Sequence, residues 1–183
     1  MTDKTIHPKI RGSVRSLTFS ALFLAIALLL PFVTGQIPQI GALLSPMHLP
    51  AFLAGYLCGP FWGALVGLAA PLLRHVLFGM PPLMTAIPMA IELAAYAVLA
   101  GVLYRVLPKK TGFLYLSLAL SMIGGRILYA AVKMTMLGLG GEAFTPWLVL
   151  LDTVTGTWAG ILIQFVLVPP LVLAAERFFV RGK

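Results

Sequence analysis

The sequence predicts an all-α integral membrane protein, a bundle of six transmembrane helices with both termini cytoplasmic, and three observations predict it. Of 183 residues, 60% are hydrophobic and only 10% charged, whereas a water-soluble domain carries about a quarter charged residues. The apolar residues fall in runs fit to cross a hydrocarbon core of about 30 Å, which takes about 20 helical residues. The basic residues cluster at the two ends and at one mid-chain break, as they do when one membrane face collects the positive charge. The length fits a single membrane domain over residues 1–183: a basic tail (1–15), the bundle (16–175) and a second basic tail (176–183).

The first span is expected over residues 16–34, followed by a polar loop over 35–46 with Gln36, Pro38 and Gln39. A basic start followed by an apolar run resembles a signal peptide, but the run is long and further spans follow, so no cleavage is expected. The second span, 47–58, stops at Gly59-Pro60 and is too short to cross upright, so it is tilted, continued past the break or buried among its neighbours. The third covers 61–78 and ends in Gly79-Met80-Pro81-Pro82, the fourth 84–107 before Pro108-Lys109-Lys110, the fifth 113–137 and the sixth 146–175.

Six crossings put both termini and the 4–5 connection on one side. Lys4, Lys9, Arg11 and Arg15, then Arg105, Lys109 and Lys110, then Arg177, Arg181 and Lys183 all fall there, and the opposite loops contain no Lys or Arg. The net charge of +8 is thereby assigned to the cytoplasmic face and the lipid bilayer, not to nucleic acid. Small residues four apart, Ala21 and Ala25, Gly63 and Gly67, Gly156 and Gly160, let helix backbones meet, inside the bundle or against a partner helix.

Charges inside the spans point to a site, because each is costly in lipid. They are Arg74, Glu92, Arg126, Lys133 and Asp152. At about 1.5 Å per residue, Arg74, Glu92, Arg126 and Asp152 fall in one layer of the outer half, with Lys133 nearer the interface. Either these groups line an outward polar cavity or they pin the bundle as internal salt bridges. Three cations face two carboxylates, and a bound anion would balance the surplus cation. Tyr129 shares a helix face with Arg126 and Lys133, Tyr96 lies four after Glu92, and Thr155 three after Asp152. His48, at the start of the second span, either reaches a ligand or caps a helix, and His75 points away from Arg74 around its helix.

Catalytic and cofactor signatures are lacking. There is no G-x-x-x-x-G-K-[ST] for ATP, no H-E-x-x-H or cysteine cluster for metal, and no G-x-S-x-G nucleophile. The one cysteine, Cys58, reads as a buried inert thiol. The expectation is a non-enzyme without cofactors, and an intramembrane aspartyl enzyme is disfavoured because the arginines would keep both acids ionised.

The stretch Ser45-Pro46-Met47-His48-Leu49-Pro50, with Pro71-Leu72-Leu73-Arg74 and Phe78-Gly79-Met80-Pro81-Pro82, resembles the substrate-binding (S) components of energy-coupling factor transporters, most of all the pantothenate-type branch. The likeness covers nearly the whole chain. It implies capture of a vitamin in an outward pocket capped by the loop after the first span, in a bacterial cell membrane. It also implies partnership with a membrane coupling subunit and two cytoplasmic ATPases, and a toppling of the component in the membrane. Family members carry an alanine-x-x-x-alanine motif for the coupling subunit, which Ala21 and Ala25 match in place and spacing. The expected ligand set is then Arg74, Arg126 and Asp152, helped by Glu92, Tyr129, His48, Lys133, Tyr96 and Thr155. Other vitamins would also suit a cation, and a self-sufficient ion-coupled transporter working through Glu92 or Asp152 is the rival reading.

Overall fold

The computed structural model describes residues 13–33, 41, 43–140 and 145–181. Among the described residues the elements are helices: α1 Ser13–Val33, α2 His48–Cys58, α3 Pro60–Phe78, α4 Leu83–Val106, α5 Thr111–Leu139, α6 Pro146–Thr155 and α7 Trp158–Arg181. Five of them (α1, α3, α4, α5 and α7) are long and apolar enough to cross a membrane. Most of the capping loop expected over 35–46, residues 141–144 between the fifth and sixth expected spans, and Lys4, Lys9, Arg11 and Lys183 lie outside the described residues.

Local chemistry sets the breaks. Gly59, at φ 97°, separates α2 from α3, and Pro60 opens α3 where its missing N–H costs no hydrogen bond. Gly79 closes α3 in the left-handed conformation at φ 70°, its N–H bonded to the His75 carbonyl at 2.8 Å. The His75 ring then donates from Nδ1 to the Pro81 carbonyl at 2.8 Å, so this histidine holds the α3–α4 turn and takes no part in the charged layer. Helix-interior prolines (Pro31, Pro71, Pro88, Pro169 and Pro170) persist here, as they do in membrane helices whose neighbours satisfy the freed backbone groups.

The short second span is the centre of the bundle. Nine of the eleven residues of α2 are buried, and it packs on α1, α3, α4 and α7. It is about 15 Å long, half the hydrocarbon thickness. Its first residue, His48, meets Glu92, which lies nine residues inside α4, about 13 Å from that helix's start. So α2 begins at mid-depth and runs to the end of the bundle that carries Arg105 and Glu176, called here the proximal end. It does so on backbone contact: a Cβ at Gly55 would overlap the main chain of Ala97, and one at Gly63 would lie 2.7 Å from the Gly55 Cα. Gly63 and Gly67 are thus internal packing positions.

The expected sixth span, 146–175, is two helices. The Gly156 N–H still bonds the Asp152 carbonyl at 2.9 Å, and the Thr157 hydroxyl turns back to the Thr153 carbonyl at 2.9 Å, but the regular helix resumes only at Trp158. A hydroxyl that competes for backbone acceptors, next to a glycine, accounts for the break.

At the proximal end Tyr104 links three elements. Its hydroxyl donates to Glu176 of α7 at 2.5 Å, its ring meets Tyr56 of α2 edge-on at 5.2 Å, and the Lys109 ammonium caps the ring at 3.2 Å.

Candidate functional site

Glu92 of α4 is the hub of a buried polar group. Its Oε1 accepts a hydrogen bond from Tyr96 at 2.6 Å and faces an Arg126 nitrogen at 3.1 Å. Its Oε2 lies 3.5 Å from His48 Nε2, within ion-pair range but outside hydrogen-bond geometry. Glu92, His48 and Tyr96 are each at most 1% exposed.

The backbone arranges this meeting. Tyr96 follows Glu92 by one helical turn, so its hydroxyl folds back onto the carboxylate. Its ring stacks on Phe52 of α2 at 4.7 Å and tilts against His48 at 5.5 Å. Gly125 of α5 leaves room for that ring: a Cβ there would collide with the Tyr96 ring and lie 3.2 Å from the Glu92 carbonyl. The close α4–α5 approach at Gly125 is what lets the next residue, Arg126, reach Glu92.

Arg126 also donates to the Thr157 hydroxyl at 2.6 Å, which ties α5 to the α6–α7 break, while its Nε has no partner. One and two turns further along α5 come Tyr129 and Lys133, the ammonium 5.7 Å from the Tyr129 ring centre. Lys133 pairs with Asp152 of α6 at 2.9 Å. Exposure climbs along this face from 1% at Glu92 and 12% at Arg126 to 28% at Lys133 and 65% at Asp152. The site therefore runs from a buried floor to an open rim at the distal end of α5.

The single layer expected from helical depth is divided. His48, Glu92, Tyr96 and Arg126 form the floor, with Tyr129, Lys133 and Asp152 above. Asp152 pairs with neither Arg74 nor Arg126. Arg74 is elsewhere, between α3 and α1: its guanidinium donates to the Leu28 carbonyl at 2.6 Å and lies over the rings of Phe32 and Phe78 at 4.9 and 5.4 Å. The surplus cation of the charge count is Arg74, so the charges of the cluster itself balance. Thr155 bonds back to the Leu151 carbonyl, and Thr157 takes the place by Arg126 instead.

Two residues were missed by the sequence reasoning. Thr157 had no signal beyond the Gly-Thr pair that breaks the helix. Gln164 of α7 is 1% exposed, and neither end of its amide has a hydrogen-bond partner among the described residues; it is the one glutamine outside the loop over 35–46 in a chain without asparagine, which was a readable signal.

The outward alanines contrast with these. Ala21 and Ala25 are both exposed on α1, amid Leu17, Leu22 and Leu29 on the same outer surface, while Ala27 on the opposite side is fully buried.

A family model for the substrate-specific component of ECF transporters matches residues 15–172. The chain belongs to that family. A substrate-specific component is a multi-pass membrane transport subunit, not a catalytic one, and works with the membrane and ATPase subunits of its transporter on a small-molecule substrate. No curated protein and no solved structure matches the chain.

Proposed function

We propose that this component is the high-affinity capture subunit of an ECF-type importer in a bacterial cell membrane, with both termini cytoplasmic, and that it binds a small anionic vitamin, pantothenate, over the Glu92–Arg126 floor. The observation that carries the reading is a buried floor with unused hydrogen-bonding capacity. Among the described residues, His48 Nδ1 and Arg126 Nε have no hydrogen-bond partner and His48 Nε2 has only its ion-pair contact with Glu92, in the interior of a family member whose role is to hold a solute. Buried polar groups are ordinarily paired, and a ligand is a fitting partner here.

The two ion pairs have different parts in this scheme. Glu92–Arg126 is buried and costly to break. Lys133–Asp152 is exposed, and such a pair is worth about 0–1 kcal/mol, so a ligand carboxylate displaces Asp152 from Lys133 at little cost. Pantothenate offers a carboxylate for the rim and hydroxyls and an amide for the floor. The outward face of α1 with Ala21 and Ala25 is the proposed seat of the coupling subunit, which brings two ATPases.

Equilibrium binding of labelled pantothenate to the purified protein, with unlabelled B vitamins as competitors, tests the ligand. Saturable binding displaced by pantothenate alone is expected, displacement by a different vitamin replaces the ligand, and no vitamin binding to a folded sample refutes capture. Ala21→Leu with Ala25→Leu should keep binding and abolish ATP-driven uptake with the partner subunits; uptake at wild-type rate would refute the docking assignment.

A further inference from the structure

Gln164 faces inward from α7, and a carboxamide with both ends unpaired is an expensive thing to bury among apolar helices. Its level follows from its neighbours one turn to either side. Gly160 packs so tightly on the chain entering α2 that a Cβ there would lie 2.8 Å from the Leu44 carbonyl and 3.1 Å from that of Leu43. Val168 belongs to the apolar cluster that holds Phe52 and Tyr56 of α2. α2 packs on α7, and one turn on from Gly160 the helical rise brings Gln164 to about the level of the first turn of α2. That turn carries His48, whose Nδ1 has no hydrogen-bond partner among the described residues and whose Nε2 has only the 3.5 Å ion-pair contact with Glu92. Two helices thus bring unfilled donors and acceptors to one level of the interior, beside the Glu92–Arg126 floor.

We propose that Gln164 is a ligand-contacting, specificity-determining residue that reads a neutral polar group of the captured molecule, an amide or a hydroxyl, while Lys133 at the rim takes its anionic end. A carboxamide offers a donor and an acceptor without charge. The partly buried Ile161 and Phe165 and the buried Val168 around it supply no counter-ion, which suits a neutral partner and not an ionic one. The inference rests on the capture reading and extends it to the selection of the ligand's uncharged part.

The test uses Gln164→Leu and Gln164→Met in the full chain, purified free of ligand in detergent, with two readouts. The first is the thermal unfolding midpoint. A ligand-contacting amide has no protein partner to lose, so the midpoint should hold or rise; a lowered midpoint in both variants would show an amide satisfied within the fold and overturn the proposal. The second is the Kd for labelled pantothenate, expected to weaken roughly ten- to hundredfold, since a site built to pair a polar group loses its grip when the pairing group goes. A Kd within twofold of wild type in folded variants would also overturn it and point to an internal water as the partner. If the wild-type protein binds no pantothenate, the substrate reading fails by itself, and the midpoint comparison still decides whether Gln164 is structural.

Discussion

Removing Arg126 is the sharpest perturbation of the buried floor. Its guanidinium is 3.1 Å from Glu92, whose carboxylate is 1% exposed and has otherwise only the Tyr96 hydroxyl at 2.6 Å and His48 at 3.5 Å. Arg126→Met keeps most of the side-chain volume and strands a buried carboxylate. Breaking such a pair from one side costs about 3–5 kcal/mol, more than a hundredfold in the folded-to-unfolded ratio. Glu92→Gln in the same chain removes the stranded charge while keeping an oxygen for Tyr96 to donate to. The double variant should therefore recover most of that loss, giving a coupling of roughly 2–4 kcal/mol in a double-mutant cycle. The assay is reversible unfolding in mixed micelles for the four proteins, with vitamin binding measured on the same samples. Stability should return in the double variant and binding should not, because Arg126 Nε is lost in both. A single Arg126→Met variant as stable as wild type, or a double variant no better than the single, would refute the claim that this pair is a closed, low-dielectric unit.

Three further perturbations separate the parts of the site. Gly125→Ala puts a methyl into the Tyr96 ring and should cost about 1–3 kcal/mol by overpacking, with weaker vitamin binding as Tyr96 leaves Glu92; unfolding and binding titrations check both. At the rim, Asp152→Asn should shift stability by less than about 1 kcal/mol and strengthen binding of an anionic vitamin a few-fold, whereas Lys133→Met should weaken it about tenfold; equal effects of the two would contradict the displacement scheme. Arg74→Met should destabilise the protein by about 1–3 kcal/mol, since it frees the Leu28 carbonyl and two aromatic faces, and leave the vitamin Kd unchanged; a lost Kd with intact stability would return Arg74 to the site.

Depth along a helix was readable from the sequence, and direction around it was not. Counting residues from helix ends brought Glu92 and Arg126 to one level, and the four-residue step put Tyr96 on the carboxylate. The same count put Arg74 at that level, but α3 turns it toward Leu28 and Phe32 of α1, and only the packing of α1 on α3 decides that. His48 was readable as a candidate but not as a neighbour of Glu92, because that contact depends on α2 starting at mid-depth. The break at Gly156–Thr157 was not legible because a span that long and apolar reads as one helix, and a Gly-Thr pair within it is compatible with an unbroken helix as well. Gln164 carries no charge, so a search for costly charges passed over it, although a lone amide in an apolar run is the next most costly group.

The half-length of α2 joins two tasks that other bundles keep apart. α2 opens at the polar floor with His48 and then passes through the middle of the molecule. Met47 and Ala51 press on Ala27, across α1 from the outward alanines, and on Ala70 and Leu93. A solute that shifts His48 cannot shift it alone, since an eleven-residue helix wedged among α1, α3, α4 and α7 moves as a unit. Any displacement of α2 would meet α1 first, through the contact of Met47 and Ala51 with Ala27. The half-length rod thus stands between the polar floor and the flank of α1 that carries the outward alanines.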